Sequence, residues 1–158
     1  MADRTVNKIF ETSGSDRLPV PIANGETLPI GTLVQAQSGF ANHYDGTQPL
    51  IGLVVGGENV NSDGEPVGDT SLTPDPAVYV DATGAVIKGI AVAGATTFGE
   101  EVYCNDSDLA NATITQPSTD APIGYTTRWA SASDCDVKLY SMDVHRLGSD
   151  AASFAAWV

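Results

Sequence analysis

Leu18-Pro19-Val20-Pro21-Ile22 is the stretch that decides the class of fold. Leu18, Val20 and Ile22 alternate with two prolines, which is the period of a strand. Proline has no N–H to give to a ladder. Residues two apart in a strand turn their N–H groups to the same side, so both missing donors fall along one edge. The stretch predicts an edge strand with its proline side unpaired. Such an edge resists unwanted strand addition.

Working outward, more strands follow. Ile30-Gly31-Thr32-Leu33-Val34 opens the next. Pro49-Leu50-Ile51-Gly52-Leu53-Val54-Val55 is almost continuously apolar and is expected to be buried. Residues 56–75 are polar and rich in Gly, Asp and Pro, and predict a long loop with a short segment near Val60 or Val67. Ala77–Val80 and Ala85–Val92 flank Asp81-Ala82-Thr83-Gly84, whose Asp-first, Gly-last pattern suits a type I turn and predicts a hairpin. Phe98–Cys104, Ala112–Thr115 and Pro122–Trp129 read as further strands. After a turn at Ser131–Asp134 comes a final strand, in which Cys135, Val137 and Leu139 alternate with Asp136, Lys138 and Tyr140, one buried face and one wet. That phase makes Cys135 a small core residue rather than a reactive thiol.

One repeat is visible. Ile30-Gly31-x-x-Val34 recurs as Phe98-Gly99-x-x-Val102, and Pro49-Leu50-Ile51-Gly52 recurs as Pro122-Ile123-Gly124. Glycine at matching points predicts a bend or a close backbone approach in each copy.

Composition agrees. The 158 residues hold Val 15, Thr 15, Ile 8, Gly 16 and Pro 9, a mixture suited to pleated strands joined by many turns. The expected fold is all-β: a single compact antiparallel β-barrel or sandwich over residues 17–140. Residues 1–16 read as an extended N-terminal arm, and 141–158 as a short helical or irregular tail. Ser149 or Asp150 would cap a short helix there, with Phe154 and Trp157 on one face.

Lys and Arg number 7 against 20 Asp and Glu, a net charge of −13. Phosphate binding needs clustered cations, so nucleic acid is excluded as a partner, and an anionic membrane surface with it. No stretch reaches the ~18 apolar residues of a membrane span, and the first residues lack the apolar run of a signal peptide. The chain is therefore expected in a reducing cytoplasm at synthesis. Two cysteines, Cys104 and Cys135, make no disulfide scaffold, and that compartment weighs against their pairing.

Chemistry is sparse. His43 and His145 have no nucleophile or ligand at a motif spacing and read as solvated surface groups. Glu100 and Glu101 are adjacent and would point to opposite strand faces, which excludes a simple acid–base pair. Asn59–Gly64 resembles half a calcium loop, but Thr70 stands where a bidentate Glu belongs, so a polar turn is the better reading. Asp106 and Asp108 offer at most a weak cation site. No catalytic residue, cofactor or metal is expected, and the reading moves from enzyme to structural or binding protein.

The strand order resembles a family of small phage head proteins, the capsid decoration or cement proteins of tailed bacteriophages, several of which are β-barrels. The likeness rests on Leu18-Pro-Val-Pro-Ile-Ala-Asn-Gly, Ile30-Gly-Thr-Leu-Val, Pro49-Leu-Ile-Gly-Leu-Val, Gly84–Val92, Phe98-Gly-Glu-Glu-Val-Tyr, Pro122-Ile-Gly-Tyr and Asp136-Val-Lys-Leu. It implies a non-enzymatic protein, made in the bacterial cytoplasm and mounted on the outer surface of the virion. It implies major capsid protein as partner and a homo-oligomer, a trimer rather than a dimer. On this reading the clamp would use Ile9 and Phe10 of the arm, Leu18, Val20 and Ile22 of the edge strand, and Phe154 and Trp157 of the tail. Another reading stays open: a β module that recognises glycans through Trp129, Tyr125 or Tyr44.

Overall fold

The computed structural model describes residues 10–12, 17–117 and 121–142. Among them, strands follow in the order β1 (Phe10–Glu11), β2 (Arg17–Pro21), β3 (Leu33–Gln37), β4 (Phe40–His43) and β5 (Leu50–Gly57). Then come β6 (Ala77–Asp81), β7 (Val86–Ile90), β8 (Glu101–Val102), β9 (Gly124–Ser131) and β10 (Asp134–Leu139). They form two antiparallel sheets. The first has the order β2-β6-β5-β3-β4 and the second β1-β7-β10-β9-β8.

The all-β expectation holds as a two-sheet sandwich. The first sheet curls until Ile22, just past β2, bridges Ala41 of β4. No ladder extends from that single bridge, so the described strands make no closed barrel. β2 is an edge strand paired to β6 alone. Ile22 donates its N–H to Pro76 O at 3.3 Å. The nitrogens of Pro19 and Pro21, out of phase with Ile22, therefore face away from β6, as the alternation predicts.

β5 explains its own apolar run. Leu50 and Leu53 belong to the core that joins the sheets, with Leu33, Ile87, Ile90, Val102, Ile123, Val137 and Leu139. Ile51 and Val54 point the other way, into a second core inside the curl with Ile22, Leu28, Val34, Val78 and Val80. The first sheet is thus buried on both faces. Each fully buried Leu or Ile contributes about 1.5–3 kcal/mol of transfer free energy.

The repeat in the sequence is a repeat in structure. β2, β3, β5 and β6 stand in the order β2-β6-β5-β3, and β7, β8, β9 and β10 stand in the order β7-β10-β9-β8. Val34 pairs with Gly52 as Val102 pairs with Gly124. Gly31 N donates to Val54 O at 2.9 Å, and Gly99 N to Thr126 O at 2.6 Å. Both glycines have positive φ, 90° and 82°. A Cβ on Gly52 would lie 2.0 Å from Asp81 O, and one on Gly124 would lie 2.1 Å from Lys138 O. The matching glycines are a matching turn and a matching close approach, twice.

Three expectations change. Asp81–Gly84 is not a hairpin turn: β6 and β7 lie in different sheets. Asp81 Oδ1 accepts from Thr83 N (2.9 Å) and Thr83 Oγ1 (2.7 Å), and the chain crosses there from one repeat to the next. Phe40–His43, where no strand was expected and where Asn42–Gly46 reads as a Gly-rich loop, are strand β4. Ser38 and Gly39 turn into it with φ of 54° and 84°, the two positive values a type I′ hairpin turn needs. Phe10–Glu11, placed in the arm, pairs with Ile87 and Val86.

Residues 56–75 are pinned rather than loose. Val60 bridges Pro66, and Val67 bridges Thr27. Asn61 Oδ1 accepts from Asp63 N (2.9 Å) and Glu65 N (3.0 Å). The would-be calcium ligand is thus the acceptor of a polar turn, as the sequence favoured.

Candidate binding surface

The most exposed large apolar side chain among the described residues is Phe98, at 72%. Its turn is tightly tied. The Glu100 carboxylate accepts from Thr96 N and Thr97 N, each at 2.7 Å. Those two N–H groups hold the Glu100 carboxyl below the usual glutamate range. Thr126 Oγ1 donates to Thr97 O (3.0 Å) and accepts from Glu100 N (3.0 Å). Gly99 N adds its bond to Thr126 O. A ring left in water on a turn with this many bonds is displayed, because its position costs little further ordering on binding. The matching residue of the first repeat, Ile30, is also exposed, at 41%. Sequence reading took both as the first residues of strands. The signal was the glycine after each, whose positive φ turns the chain and leaves the preceding side chain outside.

The outer face of the second sheet is polar and aromatic. Tyr125 stands opposite Glu101 on β8 and Lys138 on β10. Its ring lies 5.7 Å from that of Tyr140, tilted by 38°. Tyr103 OH donates to Glu101 Oε2 at 3.2 Å. Burial first, and then the nearby Glu101, raises the hydroxyl pKa of both Tyr103 and Tyr140. Farther along, Arg128 pairs with Asp134 and Asp136, and Lys88 pairs with Glu11. Burial alone would raise the Asp136 carboxyl, but Arg128 and Gly89 N–H outweigh it and hold it low.

The residues proposed from sequence scatter. Phe10 packs against the inter-sheet core. Along β2, Leu18 is 37% exposed, Val20 leans on the second core, and Ile22 is fully buried within it. Leu18 is the most exposed of the three, and Val20 is half-buried. Ile9, Phe154 and Trp157 lie outside the described residues, as does His145. Of the glycan aromatics, Tyr44 is buried between the sheets and is lost as a platform. Tyr125 is half-buried, and Trp129 is exposed with Nε1 donating to Ala95 O at 2.9 Å.

His43 is not a solvated group. Its Nε2 lies 3.0 Å from Thr27 O and its Nδ1 3.0 Å from Ser107 Oγ. With the proton on Nε2, the ring ties β4 to a loop of each repeat. Cys104 and Cys135 are free and buried. Burial pushes the Cys104 thiol up to about 12 and raises that of Cys135 as well. Neither has the lowered pKa of a nucleophile. Among the described residues, no group of three or more His, Cys, Asp or Glu is placed to hold a metal ion.

Comparison with family models, with curated proteins and with solved structures finds no match to the chain.

Proposed function

We propose that the chain is a structural virion protein, a capsid decoration or cement protein that binds the outer surface of a phage head and clamps neighbouring major capsid subunits. The observation that carries this reading is Phe98, an exposed ring on a turn fixed by its own hydrogen bonds. Rigid exposed aromatics are the usual anchors of protein docking. The strand-order likeness supplies the kind of partner, and its barrel geometry belongs to the proposal; the curled first sheet, meeting itself at Ile22 and Ala41, is what approaches it. A charge of −13 suits many copies crowded on one surface, where it maintains solubility. The protein acts as a homotrimer on this reading, through Leu18 of the edge strand and through the arm and tail.

The test is to add purified protein to expanded, undecorated heads assembled from the major capsid protein encoded in the same genome. Saturable co-sedimentation and a raised melting temperature of the particles are expected, with a trimer by light scattering. No binding, or binding without stabilisation, overturns the clamp. Capture on a glycan array, lost in Trp129→Ala, would favour a glycan module instead.

A further inference from the structure

The two repeats stack head to tail, and this supplies an internal control on surface chemistry. In the first repeat, Leu33 and Leu53 pair and are buried against the second sheet. Their counterparts in the second repeat, Glu101 and Tyr125, pair in the same register on a face no described strand covers. Where a shared position passes from core to water, the chain exchanges leucine for a polar side chain. The positions of Ile30 and Phe98 show the opposite chemistry on the surface. Both lie in water, at 41% and 72% exposure, and both are apolar. Each precedes a glycine of positive φ with the same backbone bond to the neighbouring strand. The turn itself asks nothing apolar of them.

We infer that Ile30 and Phe98 are twin anchors, each seating in the same apolar pocket on one of two identical protein subunits. This rests on the capsid reading and names the surface it uses. A duplicated unit that shows one knob twice fits a partner that presents one pocket twice, as a lattice of identical subunits does. Charge defines the rim of that pocket. Glu26 lies four residues before Ile30, Glu100 and Glu101 follow Phe98, and the chain carries −13 overall. The pocket is therefore ringed by Lys or Arg, since an acidic rim would repel the approach. Two anchors on one rigid sandwich make the second contact intramolecular, so losing either one forfeits the gain from linkage.

The experiment compares Ile30→Ser, Phe98→Ser, the double variant and Phe98→Leu with the unaltered protein on the undecorated heads named above. Urea unfolding confirms that each variant is folded. Each serine variant is expected to bind at least about tenfold more weakly and the double variant to lose saturable binding, while Phe98→Leu keeps most of it. Raising salt is expected to weaken the unaltered protein. Binding that survives both serine changes, or that depends on Phe98 alone, overturns the twin anchors and leaves the capsid reading standing. An unaltered protein that does not bind overturns both.

Discussion

At the scale of single residues, the glycines carried most of what could be read. Their recurrence predicted a close approach, and Gly52 and Gly124 each leave no room for a Cβ beside the backbone of the next strand. Replacing either with alanine is expected to cost about 1–3 kcal/mol or more in urea unfolding, as overpacking against an immovable carbonyl does. Gly25 has positive φ but open space around it, so its alanine variant should lose only the ~1–2 kcal/mol of a left-handed residue. Equal losses at all three sites would refute the close-approach account. The buried thiols follow from phase in the same way. Cys135 alternates with wet neighbours and is core, and native protein at pH 8 should resist alkylation at both cysteines until it unfolds. Exposure of Phe98 and Ile30 was missed despite the glycine that follows each, because an apolar residue before a strand reads as core by default. Only the turn reveals which way each points.

Among elements, local chemistry was read correctly where it decides one residue's conformation, and misread where it had to name a partner. Asp81–Gly84 was read as a hairpin turn, but whether two strands pair or part depends on the sheet that awaits each, and no four-residue window holds that. β4 was missed although Ser38-Gly39 is a hairpin signal; the polar run Asn42–Gly46 after it masked a short strand. The Phe98 turn gives a pH prediction at this scale. Glu100 is held below its ordinary 4.5 by Thr96 and Thr97 N–H. A carboxyl lowered in the folded state stabilises the fold above its unfolded pKa and loses that effect as pH falls through the lowered value. Amide exchange at Thr96 and Thr97, measured by NMR and corrected for intrinsic rates, should therefore quicken once pH drops below the glutamate range. In Glu100→Gln the same amides should be less protected at neutral pH, with little change on acidification. Protection that is indifferent to both would show that the turn does not depend on this carboxylate.

For the whole molecule, the strand repeat was legible and the stacking of its copies was not. Apolar alternation says which face of a strand is buried, but not what buries it. The two halves answer differently. The first repeat has both faces covered, and the second has its outer face open, where Glu101 bonds Tyr103 and Tyr125 meets Tyr140. Exchanging residues at one equivalent pair tests that asymmetry. Leu33→Glu places a carboxylate among the apolar side chains between the sheets. It should cost about 3–5 kcal/mol, the loss typical of an uncompensated buried charge. Glu101→Leu removes an exposed acid and should leave stability within about 0.5 kcal/mol. It enlarges the apolar area around Tyr125 and Tyr140, so sedimentation velocity should detect self-association that grows with concentration. If both variants were equally stable, the second sheet would not be the cover of the first. The head-to-tail order would then fail, because it requires the same position to be core in one repeat and surface in the other.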